Sequence, residues 1–354
     1  MNSTVGSLIH TFYDAPSLAA DPRPSVSRKA WADGYRLLHP QHVTFHEGTK
    51  GSIDNFLGPG LNYGNNYDQQ LPSEVDDIGL QYPAHSLNLA HQEILSEGDV
   101  TRDFDQNFEP FRLAFCRGPF LWPRSLCGPT GPTNTSVTVD YQFTWPGLNP
   151  LLERAAMIGE LKQPYVIIPS EWTPSQWGWV DNPGDMTKKL QREMRGGRYA
   201  HRYKCPQVFV FDSLHLVILQ FRAASKDQIQ EQDCHVDICI IPREQLSPEQ
   251  CTIQYALYRL AWRGWMRLSA TLATQQGSKR KTVTVAVDGI PRTYEWWSGK
   301  PLWEVAPRRY QYGHPNGWKR QFFRLETGGY WIWADDTGNY PDGGLVYDTG
   351  NCLQ

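Results

Sequence analysis

Two opposite charges stand inside an apolar stretch of the chain, MIGELKQPYVII at residues 157–168, which otherwise predicts a buried strand. Glu160 and Lys162 are two residues apart, and residues at that spacing project from the same face of a strand. A charge among apolar side chains is costly unless it has a partner. The chain must therefore fold so that other polar groups meet this pair, and no other stretch constrains the structure more.

The preceding strand offers a partner. SVTVDYQFTW alternates between apolar and polar side chains and predicts a strand with Asp140 on its polar face. If the two strands pair as a hairpin, Asp140 lies beside Glu160 and Lys162. Mg²⁺ is usually bound by one or two carboxylates together with water and phosphate oxygens. The three residues therefore predict a Mg²⁺ or Mn²⁺ site that faces a phosphate, with Lys162 either orienting the attacking water or stabilising developing charge. The alternative is a set of buried ion pairs with distant partners.

Helices and strands are predicted on both sides of these three residues. One helix begins after Ser96, a capping residue with Asp99 three positions later. A second helix covers residues 184–203, with Asp185 as its N-cap. The remaining predicted elements are the strands QVFVFD and LHLVILQF, joined at Asp212–Ser213, the strand HVDICIIP, and a helix from SPEQ at 247–250 to about Leu272.

Composition divides the chain into three parts. Residues 1–90 are rich in Pro, Gly and Asn and predict an irregular N-terminal arm. Residues 91–275 hold the helices and strands of the predicted core. Residues 276–354 are rich in Val, Thr, Trp and Tyr and predict a β-rich extension packed on that core. The expected fold class is α/β, of the α+β type, with a mixed central sheet.

The order and spacing of these residues resemble the PD-(D/E)XK nuclease superfamily, and in particular its fungal members of unassigned function. The resemblance covers roughly residues 93–270 and rests on VTVD, GELK, LQREMRG and CPQVFVFDSLHLVILQFRA. It implies a restriction-endonuclease-like αβββαβ core. The roles that it implies are metal ligation by Asp140, Glu160, the Leu161 carbonyl and Glu97, and catalysis by Asp140, Glu160, Lys162 and Gln191.

Two positions depart from the pattern of that superfamily. Val139 stands where a proline often precedes the aspartate. Some members carry a tyrosine four residues after the glutamine on the helix that follows the lysine. In this chain Gln191 is followed at that spacing by Arg195, and the nearest tyrosine is Tyr199.

A basic segment follows the three site residues. The net charge of the chain is −3, so contact with nucleic acid has to depend on local clusters of positive charge. Residues 186–204 carry seven Lys and Arg against one acid, Glu193. Such a helix beside a metal site predicts contact with the phosphate backbone of DNA or RNA, whereas the alternative is a solvated face. The predicted contacts are Lys188, Lys189, Arg192, Arg195, Arg198 and Arg202.

A loop rich in tryptophan, residues 170–183, follows the predicted strand. Trp172, Trp177 and Trp179 are predicted to form a pocket wall, because an indole can stack on a base or on a small substrate.

Seven cysteines show no framework spacing and several lie in apolar runs, which predicts reduced, buried thiols. The sequence begins without a secretory pattern and contains no apolar run of about 18 residues. We therefore expect an intracellular protein, cytoplasmic or nuclear, without a membrane partner.

Three functions remain open from the sequence. The first is a magnesium-dependent enzyme that acts on nucleic acid, most simply a hydrolase of phosphodiesters. The second keeps the fold for fungal secondary metabolism, for example as a tRNA-dependent synthase of arginine-containing cyclodipeptides, with the basic helix on the tRNA and an acidic pocket for the arginyl side chain. The third is a non-catalytic nucleic-acid-binding protein.

Overall fold

A computed structural model describes the parts of the chain that carry the candidate site. These are residues 3–18, 37–38, 40–57, 80, 82–84, 93–115, 122–127, 139–144, 155–172, 184–195, 199–223, 227–275, 284–287, 290–295, 300–302, 319–325, 328–334 and 346–347. This part of the chain has a mixed α/β structure with one large mixed sheet and several helices.

Six α-helices are described: α1 (Val5–Ile9), α2 (Lys50–Leu57), α3 (Glu97–Asn107), α4 (Glu109–Leu113), α5 (Asp185–Arg195) and α6 (Ile253–Gln275). Short 3-10 turns cover Pro40–His42, Pro169–Glu171 and Asp227–Gln230. The strands are β1 (Ser3–Thr4), β2 (Ser17–Leu18), β3 (Val43–His46), β4 (Pro83–Ala84), β5 (Glu93–Ile94), β6 (Trp122–Cys127), β7 (Val139–Thr144), β8 (Ala155–Leu161), β9 (Gln207–Phe211), β10 (His215–Arg222), β11 (His235–Pro242), β12 (Thr284–Val287), β13 (Ile290–Glu295), β14 (Lys300–Leu302), β15 (Lys319–Leu325), β16 (Gly328–Ala334) and β17 (Val346–Tyr347).

The central sheet has seven strands in the order β3-β11-β10-β9-β8-β7-β6. Strands β6, β7 and β8 are antiparallel neighbours, as are β9, β10 and β11, whereas β8 pairs with β9 and β11 pairs with β3 in parallel. Helix α5 lies between β8 and β9 in the chain, which supplies the crossover that a parallel pair needs. The strand order thus places the end of β8 in the middle of the sheet.

The sheet separates two apolar clusters. Phe209 of β9 contributes to one cluster, and its ring stacks on Phe104 of α3 with 5.6 Å between the ring centroids. Val208 and Val210 point to the other face, where Leu190 of α5 contributes to the second cluster. Successive side chains of a strand point to opposite faces, so one apolar strand serves both clusters.

Several predicted elements are confirmed. Ser96 caps α3: its hydroxyl accepts a hydrogen bond from the Asp99 N–H, and the Asp99 carboxylate accepts one from the Ser96 N–H. The strands β9 and β10 meet at Asp212–Ser213, and β11 covers the predicted HVDICIIP. The described part of the C-terminal extension consists of strands, in two sheets of three strands each.

Three predicted boundaries are wrong. The strand in MIGELKQPYVII ends at Leu161 rather than continuing to residue 168, because Pro164 follows and a turn links Gln163 to Val166. Helix α5 begins at Asp185, which is its first residue rather than its cap, and ends at Arg195, where two glycines follow in the sequence.

The long helix α6 also begins later than predicted. It begins at Ile253, because Thr252 accepts the hydrogen bond of the Tyr255 N–H through its hydroxyl oxygen and so caps the helix. The preceding Gln250 donates through its side chain to the carbonyls of Pro242 and Glu244, which holds SPEQ in a turn.

The described segments of residues 1–90 contain short regular elements that the prediction of an irregular arm did not include. Strand β3 forms an edge of the central sheet, and α2 buries Ile53 and Leu57 in the apolar cluster on the α3 side. Short elements separated by Pro and Gly give little periodicity in sequence, yet their few apolar residues are enough to dock them.

No helix in the described ranges is both long enough and apolar enough to cross a membrane. The four described cysteines with resolved side chains, Cys205, Cys234, Cys239 and Cys251, are buried and form no disulfide.

Helix α6 approaches strand β8 closely at Gly264. A β-carbon at this position would overlap the backbone carbonyl of Ala156. We expect Gly264→Ala to lower the free energy of unfolding by about 1–3 kcal/mol, because a backbone group cannot swing away as a side chain can. Gly51→Ala on α2 is the matched control, since a β-carbon there meets nothing within 4 Å. Urea unfolding followed by circular dichroism measures both, and equal stability of the two variants would contradict the close contact.

Candidate active site

The hairpin of β7 and β8 brings the three predicted site residues together. Its register pairs Tyr141 with Gly159, which leaves Asp140 and Glu160 as neighbours at the end of the hairpin. The Leu161 N–H donates to Asp140 Oδ2 over 2.7 Å. The hypothesis that these strands form a hairpin is therefore confirmed, and Asp140 lies beside Glu160 and Lys162.

Lys162 lies between the carboxylates of this cluster. Its Nζ lies 2.5 Å from Glu160 Oε1 and 3.9 Å from Glu193 Oε2. The side chains are recessed, with 15% of Lys162, 6% of Glu160 and 2% of Glu193 exposed. Asp140 and Glu160 have this one ammonium group between them, so the pair carries excess negative charge when both carboxylates are ionised.

This excess charge shows in the pKa of Asp140. Burial, followed by the charge of Glu160, raises the pKa of Asp140 from 3.8 to about 7, although the Leu161 N–H and the charge of Lys162 oppose the shift. The charge of Glu97, the first residue of α3, also raises the pKa of Asp140, by less than burial and Glu160 do.

Lys162 responds in the opposite sense. Burial lowers its pKa, but the charges of Glu160 and Glu193 outweigh burial, and the pKa of Lys162 stands above its ordinary value. Lys162 is thus a permanent ammonium group in this setting. It can stabilise negative charge but cannot serve as a base near neutral pH.

One atom of the cluster, Glu160 Oε2, stands apart from the contact that Lys162 makes with Glu160 Oε1. It is buried and has no hydrogen-bond partner among the described residues. A carboxylate oxygen in that position is costly unless a donor or a cation meets it. The donor set therefore fits a divalent cation, because Mg²⁺ takes oxygen ligands and commonly uses only two carboxylates of the protein.

The described residues contain no group of three or more His, Cys, Asp or Glu arranged to hold a metal ion. A cation at this site would therefore be held by Asp140 and Glu160, with its other ligands from solvent and substrate. Leu161, whose carbonyl was predicted as a ligand, contributes its N–H to Asp140, and its side chain is buried in the apolar cluster on the α3 side.

Two tyrosines that were not predicted as site residues support the hairpin. Burial, followed by the charge of Glu160 and a hydrogen bond to it, raises the pKa of Tyr199, so its hydroxyl stays protonated. The Tyr203 hydroxyl accepts a hydrogen bond from the Val139 N–H over 3.2 Å, next to Asp140. Both tyrosines lie just after α5, in a segment whose sequence predicts more helix.

Helix α5 turns a different residue toward Lys162 than the predicted Gln191. Glu193 lies at 3.9 Å from the Lys162 ammonium. Gln191 is two residues earlier, about 200° away around the helix axis, and its buried amide has no hydrogen-bond partner among the described residues. The signal for Glu193 in the sequence was its position as the single acid of a basic segment.

Arg195 does not belong to a phosphate-binding surface. Its side chain is 2% exposed and donates to the backbone carbonyls of Ile229, at 2.9 Å, Leu37, at 2.7 Å, and Glu231. It therefore ties the end of α5 to two other segments, and the predicted role of Arg195 in nucleic-acid binding is wrong.

Three other predicted basic residues remain on the outer side of α5. Lys188, Lys189 and Arg192 are partly exposed, and Arg202 is partly exposed in the turn beyond the helix. They still offer positive charge beside the cluster. Arg198 lies outside the described residues.

The contrast between Arg195 and Lys188 gives a stability prediction. We expect Arg195→Ala to lower the free energy of unfolding by about 3 kcal/mol, because three carbonyls lose a charged donor. Lys188→Ala should change the free energy of unfolding by less than about 0.5 kcal/mol. Thermal and urea unfolding of both variants tests this. An Arg195→Ala protein as stable as Lys188→Ala would contradict a stabilising role for the hydrogen bonds of Arg195.

The predicted pocket wall is not supported at Trp172. This side chain is fully buried in the apolar cluster on the α5 side, at the end of the turn Pro169–Glu171, so it packs the core rather than facing a substrate. Trp177 and Trp179 lie outside the described residues.

No family model matches the chain, and no curated protein and no solved structure is significantly similar to it. The resemblance to PD-(D/E)XK nucleases therefore rests on the motif residues of the sequence alone.

Proposed function

We propose that the protein is a divalent-metal-dependent enzyme that hydrolyses a phosphodiester bond of nucleic acid at Asp140, Glu160 and Lys162. The observation that carries the proposal is Glu160 Oε2, a buried carboxylate oxygen without a partner among the described residues, beside an Asp140 whose pKa is raised to about 7. Both features mark a site that lacks positive charge, which a Mg²⁺ or Mn²⁺ ion held by the two carboxylates would supply.

Each residue of the cluster has a role in this proposal. Asp140 and Glu160 hold the cation, and the Leu161 N–H orients the Asp140 carboxylate. When bound, the cation would polarise the phosphate and lower the pKa of a water molecule. Lys162, fixed by Glu160 and Glu193, places a permanent positive charge where negative charge develops on the phosphate. Tyr199 donates to Glu160 and holds that carboxylate in place.

The order of elements supports a restriction-endonuclease-like core. With the short helix α4 inserted after α3, helix α3, strands β6, β7 and β8, helix α5 and strand β9 come in the order αβββαβ that the resemblance implies. The outer side of α5 carries Lys188, Lys189 and Arg192, which supports contact with a phosphate backbone.

The proposal is tested by incubating the protein with single-stranded and duplex DNA and RNA, with Mg²⁺, with Mn²⁺ or with EDTA. We expect cleavage that requires the metal and is lost in Glu160→Gln, which keeps the shape of the side chain and removes its charge. Glu244→Gln is the matched control, because Glu244 is exposed and outside the cluster. Cleavage that survives in Glu160→Gln would refute the proposal.

A second candidate function has support from the same cluster. The recessed carboxylates around Lys162 would also attract a guanidinium group, which can donate two hydrogen bonds to one carboxylate. An arginyl group carried by tRNA would place its side chain here, with the tRNA on the basic side of α5. This agrees with the synthesis of arginine-containing cyclodipeptides as an alternative function.

The two functions differ in the ligand that the carboxylates around Lys162 bind, a divalent cation or an arginyl side chain. If the second holds, arginine amide stabilises the protein against heat without any divalent metal, and tRNA co-purifies with the protein. If the first holds, Mg²⁺ stabilises the protein and arginine amide does not. Analysis of the expressing host for cyclic dipeptides completes the comparison.

A further inference from the structure

A tight turn directly follows Lys162. It consists of residues 163–166, and the Val166 N–H donates to the Gln163 carbonyl over 3.3 Å. Pro164 occupies the second position, and Tyr165 occupies the third with φ of 66°. A positive φ at the third position of a turn is the place for Gly or Asn, because a larger side chain is strained there.

The turn is held in this conformation from both sides. Before it, the Lys162 N–H donates to the Phe211 carbonyl over 2.9 Å. After it, the Ile167 N–H donates to Asp212 Oδ2 over 3.0 Å, and Asp212 is fully buried. Asp212 Oδ1 accepts from the N–H groups of Leu214, at 3.1 Å, and His215, at 2.8 Å. A strained residue persists only where its surroundings fix it, and such residues cluster at functional sites.

Packing does not explain a tyrosine at this strained position. The side chain of Tyr165 is 53% exposed, and it makes no hydrogen bond or ring contact with any described residue. A glycine would satisfy the turn without strain. The ring is therefore presented to solvent by a backbone turn that directly follows Lys162 and is held by hydrogen bonds on both sides.

We propose that Tyr165 stacks on an unpaired base of the substrate, next to the phosphate that lies at Asp140, Glu160 and Lys162. This inference rests on the proposed hydrolysis of nucleic acid and specifies a single-stranded substrate. Tyr165 is three residues from Lys162, so their Cα atoms are at most about 11 Å apart, close enough for a nucleotide beside the scissile phosphate to reach the ring.

Stacking on a tyrosine selects unpaired nucleotides for a simple reason. In a duplex both faces of a base are covered by its neighbours, whereas a base in a single strand offers a free face. Aromatic stacking is tolerant of sequence, because every base has such a face. Tyr165 thus takes the stacking role that the sequence suggested for Trp172, which is buried in the core.

The test is a binding titration in EDTA, which prevents turnover, with fluorescein-labelled DNA and RNA strands of about 12 nucleotides and with their duplexes. The variants are Tyr165→Phe, which keeps the ring, and Tyr165→Gly, which removes it and relieves the turn. Leu246→Ala is the matched control, because Leu246 is also an exposed apolar residue, at 73%, and follows β11, three strands away from β8.

We expect Tyr165→Gly to bind the single strands at least about tenfold more weakly than the wild type, with unchanged affinity for the duplexes and a melting temperature no lower than that of the wild type. Tyr165→Phe and Leu246→Ala should bind like the wild type. If Tyr165→Gly keeps its affinity, or if Leu246→Ala loses as much, the stacking role is wrong while the proposed hydrolysis stands. If the wild type binds neither DNA nor RNA, in EDTA or with Mg²⁺ added, the proposed function fails, and the stacking role with it.

Discussion

Asp140→Asn is expected to raise the melting temperature of the metal-free protein at pH 8 and to remove its stabilisation by Mg²⁺. Burial and the charge of Glu160 raise the pKa of Asp140 to about 7, so the folded protein carries this carboxylate at a penalty above pH 7. Asparagine keeps an oxygen for the Leu161 N–H and carries no charge. The gain is at most about 4 kcal/mol, from the difference between the two pKa values.

The gain depends on pH in a definite way. Because the folded-state pKa lies above the unfolded value of 3.8, the folded wild type binds more protons between about pH 4 and pH 7, and its stability falls as pH rises through that window. The advantage of Asp140→Asn should therefore be largest at pH 8 and vanish below about pH 4. Thermal unfolding from pH 4 to pH 8, with and without Mg²⁺, measures it. An Asp140→Asn protein less stable than the wild type at pH 8 would contradict the excess of negative charge.

Replacing Lys162 with Met is expected to lower the rate of metal-dependent cleavage by at least about a thousandfold. Lys162 supplies the fixed positive charge of the cluster, and removing one preorganised charge from a recessed site commonly lowers kcat by about 10²–10³. The variant also leaves Glu160 and Glu193 without their shared ammonium, which adds to the loss.

Glu193→Gln distinguishes the charge that Lys162 supplies to the reaction from the contact with Glu193 that helps to position Lys162. Glu193 lies 3.9 Å from the ammonium, compared with 2.5 Å for Glu160, so its loss should leave Lys162 in place and lower the rate by only about tenfold. Single-turnover cleavage under saturating protein compares the two variants. If Lys162→Met and Glu193→Gln lower the cleavage rate equally, both substitutions disturb the folded structure rather than the chemistry. Far-ultraviolet circular dichroism reports whether the structure has changed.

The sequence alone was enough to predict that β7 and β8 pair as a hairpin and that Asp140, Glu160 and Lys162 lie together. Alternation in β7 fixes the face of Asp140, and the spacing of Glu160 and Lys162 fixes theirs, so a short antiparallel connection leaves few ways to arrange them. The capping of α3 was equally local, because Ser96 and Asp99 satisfy each other within one turn of helix.

The remaining parts of the site depend on contacts that sequence spacing does not encode. The end of α5 at Arg195 releases Tyr199 from a helix and lets its hydroxyl reach Glu160. Arg195 looked like a surface charge, but it meets carbonyls from Leu37 and from the segment after β10, which are far away in the chain. Helical patterns show which residues share a face, yet they do not show which segments cover that face.

The positive φ of Tyr165 was also invisible in the sequence. A proline in the second position predicts a turn. A turn with a positive φ at its third residue, however, usually has glycine or asparagine there, and this chain has tyrosine. The buried Asp212, at the end of the neighbouring strand β9, fixes the turn through the Ile167 N–H. Residues that break a local rule in this manner are the ones for which a functional reason is expected.

Calorimetric titration of the protein with Mg²⁺, in two buffers of different ionisation enthalpy, tests the central claim most directly. We expect one ion per chain, with most of a proton released per ion at pH 6 and little at pH 8, because the ion displaces the proton of Asp140, whose pKa is raised to about 7. Asp140→Asn and Glu160→Gln should give no binding heat. Absence of binding to the wild type at millimolar Mg²⁺, or binding that persists unchanged in both variants, would contradict a metal site at these carboxylates.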